Sequence, residues 1–329
     1  MRHIHNAGTL AGANVNKYTT VDLTDPTFNK DRSVLFQVAS QPIIGAIDGK
    51  QSTDKKMLSR HYGADESYYL SVVSNGYRAV ENAEILFPLQ DQIVNFFDPL
   101  VAREVAVRDI ISRNGAVCYS EYVLPKISGS VETRNGHRTN FGLTFMLKNT
   151  FDGSGSVILY SGLIDFFCLN GRITGEFDVT KRRHTANFNA NDFSIAFENT
   201  LKRFDKVVQQ YQYYADSKIT DGNSIKPLFE KLTGQNTERA RERQRSTLAD
   251  KLFGQYAVEA SHRGNSIFSV MSAMTHYASH NEGDFTYKSN ADDGTMVKRQ
   301  EQVGKWLSSD TWRDFVVHNG AMPLELSNA

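Results

Sequence analysis

Between Asn191 and Asp216 the apolar residues Phe193, Phe197, Leu201, Phe204, Val208 and Tyr211 recur at steps of four, four, three, four and three. Those steps follow the helical turn, so the six side chains form one stripe along one side of a long helix. Each such side chain contributes about 1.5–3 kcal/mol when buried, so the stripe requires an apolar surface to receive it. Immediately upstream, Phe141, Leu143, Phe145 and Leu147 alternate with Asn140, Gly142, Thr144 and Lys148, the period of a strand with one buried face. Asp152-Gly153-Ser154-Gly155 turns the chain into a second strand over 156–168, where Ile158, Tyr160, Ile164, Phe166 and Cys168 share one parity. The pattern predicts an α+β fold: antiparallel hairpins packed on one long amphipathic helix, with Asn191 or Asp192 as its N-cap.

The rest of the chain is read around that core. Tyr68, Leu70 and Val72 alternate with Tyr69, Ser71 and Val73, and Asn75-Gly76 offers the φ > 0 residues of a tight turn. Helical spacing runs from Glu81 to Val101, with Pro88 expected to break it in two. Strands are predicted from Val105 to Leu124 around a turn at Asn114-Gly115, followed by a polar loop from Ser128 to Arg138. Before Glu66 only Val34–Val38 suggests a strand, and Asp48–Lys56 reads as a polar loop. Helices are predicted over Ser224–Leu232, Asn236–Ala260, Asn265–His280 and Met296–Phe315. The expected organisation is an N-terminal segment over 1–64, an α+β core over 65–220 and a mostly helical C-terminal region over 221–329.

No apolar run approaches the roughly 20 residues of a membrane span, and the N-terminus has no apolar leader core, so an intracellular, cytoplasmic protein is expected. Cys118 and Cys168 lie in strand-like runs without a second cysteine or histidine at ligand spacing, so both are expected as reduced buried thiols. Net charge is zero but uneven: residues 1–100 carry 9 basic and 11 acidic side chains, 101–251 carry 22 and 17, and 252–329 carry 6 and 9. Only the middle segment favours an anionic partner.

Within it, Lys181, Arg182, Arg183 and His184 precede the long helix, whose polar side carries Lys202, Lys206, Gln209 and Tyr213. Cations with an interleaved aromatic suit phosphate contact and base stacking, which makes Lys181, Arg182, Arg183, His184, Lys202, Lys206 and Tyr213 the candidate nucleic-acid site. Arg239, Arg241, Arg243 and Arg245 alternate along a predicted helix, split between two faces and are offset by Glu238 and Glu242. Gly45-Ala46-Ile47-Asp48-Gly49-Lys50-Gln51 is one residue short of a phosphate loop and lacks its Ser or Thr. His276 and His280, four apart, form a weak metal pair with no Glu at the position a zinc hydrolase needs. Asp165 lies between Ile164 and Phe166 with no second acid, base or nucleophile at a spacing that would recruit it. No catalytic residue, metal or cofactor is assigned.

Several stretches together resemble the phage/plasmid-like protein family, a domain of unknown function of phages, prophages and plasmids. They are Val72 to Asn82, Lys148 to Ser156, Phe166-Phe167-Cys168-Leu169-Asn170 and Arg183-His184-Thr185, with Met271 to His280 beyond them. The resemblance spans residues 65–285 and carries a leucine between Cys168 and Asn170 where the family has the two adjacent. It implies a mobile-element context and no established catalytic residues. A fold-level analogy connects the hairpins and basic-flanked helix to single-strand annealing proteins. The resulting expectation is a non-enzymatic DNA-metabolism protein of the host-cell cytoplasm that binds single-stranded DNA, as a homo-oligomer and away from membranes. Two alternatives stand beside it. One is an inhibitor that binds a host defence protein through an exposed apolar or acidic patch, for instance around Trp306 and Trp312; the other is a metal-dependent hydrolase using His276, His280 and Asp284.

Overall fold

The computed structural model describes residues 18–62, 66–165, 179–234, 247–279 and 293–321. The expected mixed α+β architecture is present as two antiparallel sheets and a set of helices concentrated in the C-terminal half. The larger sheet has the order β1-β5-β6-β7-β8-β9, from β1 (Thr19–Val21), β5 (Val105–Ser112), β6 (Val117–Glu132), β7 (Arg138–Thr150), β8 (Val157–Asp165) and β9 (Val179–Arg182). The smaller has the order β2-β3-β4, from β2 (Gln37–Ile44), β3 (Gln51–Tyr62) and β4 (Glu66–Ser74). The hairpin read from alternation is β7–β8, with Phe145 opposite Ser161 and Gly153 in the left-handed region at φ 71°.

The long helix is α3 (Asn191–Asp216), and its stripe lies on the sheet as its spacing demands. Phe193, Phe197, Leu201, Phe204 and Tyr211 are buried with Phe141, Leu143, Phe145 and Leu147, while Val208 is half-buried where α3 crosses β6. There the two backbones approach so closely that a Cβ on Gly129 would lie 2.6 Å from Val208 Cγ2. Neither Asn191 nor Asp192 caps the helix: the N-cap is Ala190, without a side-chain bond, and Asp192 is engaged by Arg182 instead. In β8 the residues facing this core are Val157, Leu159 and Leu163; Ile158, Tyr160 and Ile164, which share the parity noted in the sequence, face the other way. This strand is apolar on both sides, so parity alone did not decide its orientation.

Four further expectations are corrected. Pro88 lies inside an unbroken α1 (Ala83–Phe96), and the chain breaks only at Asp98, before α2 (Pro99–Ala102). Proline forfeits one interior bond, and the buried stripe Ile85, Leu86, Leu89 and Ile93 outweighs that loss. The polar stretch from Ser128 is not a loop: β6 runs on to Glu132 after a register shift between Leu124 and Ser128, at Pro125, which has no N–H for the ladder. The Asn75-Gly76 turn forms without positive φ, held by Asn75 Nδ2 donating to the Thr53 carbonyl at 2.7 Å; at the other predicted turn Arg113, Asn114 and Gly115 all have positive φ. The supposed loop 48–56 is largely strand, since β3 starts at Gln51 and pairs with β4.

The C-terminal helices are α4 (Ile225–Thr233), α5 (Leu248–Arg263), α6 (Ile267–Ser279), α7 (Asp293–Leu307) and α8 (Asp310–His318). The segment read as one helix over 296–315 is two, because Ser309 caps α8 by accepting from the Trp312 amide at 3.2 Å. One continuous apolar core joins these helices to the large sheet, α1 and α3, and Trp306 and Trp312 belong to it. Both tryptophan rings are buried, so they form no exposed apolar patch at the place suggested for the inhibitor alternative.

The segment before β2 is fastened by a polar lock. Arg32 donates Nε and Nη2 to the two Asp109 carboxylate oxygens at 2.8 and 2.7 Å, and Nη1 to Tyr122 Oη at 2.6 Å. Ser120 and Gln90 complete it, each with a 2.7 Å bond, to Asp109 and Tyr122 respectively. With the Arg32 and Asp109 side chains only 6% and 14% exposed, the pair is stable because both partners are present.

Candidate nucleic-acid interface

β9 is the strand that puts Lys181 and Arg182 in place. Ile158 pairs with Lys181 and Val157 with Arg182, and adjacent strand residues point to opposite faces. Arg182 therefore turns to the α3 side, where its Nε donates to Asp192 in the first turn of α3. Lys181 turns to the opposite face, in a row that reads Lys181, Ile158, Lys148, Tyr119 across β9, β8, β7 and β6. The predicted cluster is thus split by the sheet itself.

On the far face Lys148 and Lys181 flank Ile158 about 9–10 Å apart, two strand spacings. Lys181 is exposed and Lys148 half-buried, and among the described residues no carboxylate pairs with either. Arg183 is exposed just beyond β9. Lys148 was missed as a site residue although it sits at a polar position of the β7 alternation; the signal was its parity. It becomes relevant only once β9 is known to lie beside β8.

The outward side of α3 is less basic than its lysines suggest. Lys202, Lys206 and Tyr213 are all exposed, Tyr213 by 64%. At about 100° per residue Glu198, Asp205 and Asp216 share that side, and all three are exposed. Three carboxylates against two lysines leave no positive field along the helix.

His184 does not belong to an exposed site. It is buried at 5% exposure and stacked on Tyr77, with ring centroids 4.7 Å apart. The Val80 amide donates to its Nδ1 at 3.5 Å, and burial pushes its pKa down to about 4 despite the nearby Asp152 charge. The ring is neutral at ordinary pH and acts as packing.

Around it the segments that carried the family resemblance meet. Tyr77 Oη donates to the Thr150 carbonyl at 2.8 Å, and the Arg78 amide donates to the His184 carbonyl at 3.2 Å. Asn149 Nδ2 donates to the Val80 carbonyl at 2.8 Å and to Asn82 Oδ1 at 2.9 Å, and Asn82 Nδ2 donates to the Val34 carbonyl at 2.8 Å. Cys118 stands opposite Asn149 on β6, buried and free, its thiol pushed up to about 12 by burial. The Cys118 thiol is buried and protonated and the His184 ring is buried in packing contacts; the junction joins the two sheets and α1.

A domain of unknown function, DUF932, matches residues 69–304, well over half of the chain. The chain belongs to this family. The comparisons with curated proteins and with solved structures returned no match. The DUF932 region thus begins within β4 and ends within α7, and includes Asn149, His184 and the β9 rim.

The metal pair is not assembled by what is described. His276 faces Glu259 of α5, with Nδ1 3.9 Å from Oε1, and Glu259 is held by Arg263 at 3.2 Å; His276 itself is half-buried. His280, Asp284, Cys168, Phe166 and Arg239 to Arg245 lie outside the described residues. Asp165 closes β8 opposite Phe141. Among the described residues no three His, Cys, Asp or Glu side chains are grouped to hold a metal, and no helix is long and apolar enough to cross a membrane.

Proposed function

We propose that this chain binds single-stranded DNA without acting chemically on it, as a recombination or replication protein of a phage or plasmid. The observation that carries the reading is the carboxylate-free pair Lys148 and Lys181, with Arg183 beside it, at the edge of the large sheet. Unpaired cations on a rigid strand attract phosphate more strongly than the neutralised lysines of α3, because each phosphate contact releases condensed counterions. The resemblance to phage and plasmid proteins supplies the context. The backbone, rather than base edges, is what such a rim contacts, so binding is expected to be insensitive to sequence.

The test is fluorescence anisotropy with a labelled oligo-dT at low and high salt. Binding that weakens steeply with salt, and that a Lys148→Ala/Lys181→Ala variant reduces about tenfold or more with a shallower salt slope, supports the reading. No binding by the unaltered chain at low salt, or equal binding by the variant, overturns it.

A further inference from the structure

The smaller sheet has one face in the protein and one in solvent. Leu58, Ser71 and Val73 turn inward and are buried, with Ser71 Oγ donating to the Phe151 carbonyl at 2.5 Å. The registers place Gln41, Met57 and Val72 in one outward row, Ala39, Ser59 and Tyr69 in the next, and Gln37, His61 and Ser67 in a third, with Ser59 buried at the centre of the face and Met57, Ala39 and His61 half-buried. Lys55 and Ser74 complete the face at its other end. Tyr69 is 58% exposed and Val72 46%, and His61 is held upright by a 3.0 Å bond between its Nε2 and Ser59 Oγ.

The chemistry of this face is specific in one respect: among the described side chains of these three strands the registers place no carboxylate on it, in a chain with as many acidic as basic residues. It offers one lysine, one histidine, amides, hydroxyls and an unobstructed phenol ring. A second copy of the chain is a poor occupant, because Met57, Tyr69 and Val72 among so many polar groups supply little of the apolar centre that a stable subunit interface needs. A strand of unpaired bases is a better one. Bases stack on a bare ring whatever their identity, amides and hydroxyls bond to base edges, and an acid-free surface does not repel phosphate.

We propose that the outward face of β2–β3–β4 is a stacking platform for single-stranded DNA, with Tyr69 under a base and Lys55 against the backbone. The proposal rests on the reading of the β9 rim and extends it. β4 ends at Ser74, the chain turns at Asn75-Gly76, and just past that turn the Arg78 amide donates to the His184 carbonyl, next to Arg183. The platform and the rim are thus joined through the turn that follows β4.

The experiment is an oligo-dT titration of the full chain, comparing Tyr69→Ala, Tyr69→Phe and the Lys148→Ala/Lys181→Ala variant, with sedimentation of each to read its assembly state. Loss of one stacking partner is expected to weaken binding about tenfold in Tyr69→Ala, while Tyr69→Phe keeps the ring and the affinity. A Tyr69→Trp variant gives a signal that does not depend on affinity: its fluorescence is quenched when oligo-dT stacks on it. Unchanged affinity in Tyr69→Ala, with binding lost in the lysine variant, overturns the platform and leaves the rim reading intact. No binding by the unaltered chain overturns both. A Tyr69→Ala chain that dissociates into smaller units with its affinity for DNA unchanged also overturns the platform and makes the face a contact between copies.

Discussion

The two sheets solve the same problem in opposite ways. The large sheet buries its inner face under α3 and most of its outer face too, so that Phe145, Met146 and Tyr160 on its two sides are all essentially inaccessible. The small sheet buries one face and leaves the other bare, with Tyr69 and Val72 in solvent. One sheet has fixed its side chains for stability, and the other has kept a whole face free of that duty. A face that does nothing for the fold is where recognition can be placed without loss of stability.

That contrast can be broken in four ways. The largest effect is expected at the centre of the large sheet, where Phe145→Ala empties the contact with Phe197, whose ring centroid is 4.7 Å away. A loss of about 3–5 kcal/mol is expected in urea unfolding, and a loss under 1 kcal/mol would show that the α3 seam is not the core. Next comes the junction between the sheets. His184 is neutral in the native state with its pKa lowered to about 4, against about 6.5 in the unfolded chain, so its contribution is complete above pH 6.5 and fades as pH falls toward 4. About 3 kcal/mol of stability is expected to disappear over that window; chemical denaturation from pH 7 to 4 should show it, with a smaller slope in His184→Phe.

A smaller cost, about 1–3 kcal/mol, is expected for Gly129→Ala, because the added methyl meets Val208 and must lift α3 from β6. Val208→Ala in the same chain should restore part of it. The smallest effect belongs to the small sheet: Val72→Thr is expected to stay within about 0.5 kcal/mol of the parent. A larger loss there would mean that the outward face is not free, and would erase the difference between the sheets.

Legibility in the sequence follows the same division. The stripe of α3 and the alternation of β7 were readable because each has one buried face, and burial writes periodicity into a chain. β3 was not, since Leu58 is the only described side chain of that strand buried in the apolar core and its neighbours Lys55, Lys56 and Arg60 imitate a loop. Pro88 misled locally because tertiary packing absorbed the missing N–H. At the rim the residue types were legible and their arrangement was not. Lys181 and Arg182 look like one cluster in a string of letters, and only a strand at that place separates them. His184 looked accessible because its partner Tyr77 lies more than a hundred positions away.

The Arg32 lock has a consequence for the time course of folding. Its bonds reach from Arg32 to Asp109 and Tyr122, across 77 and 90 positions of sequence. Loops of that length close late, after α1 and the β6–β7–β8 meander can form from near neighbours. Until the guanidinium arrives, Asp109 and Tyr122 keep water, and the segment leading into β2 has no anchor on the large sheet. Docking of the N-terminal arm is therefore expected late in folding, as a slow refolding phase that Arg32→Ala removes.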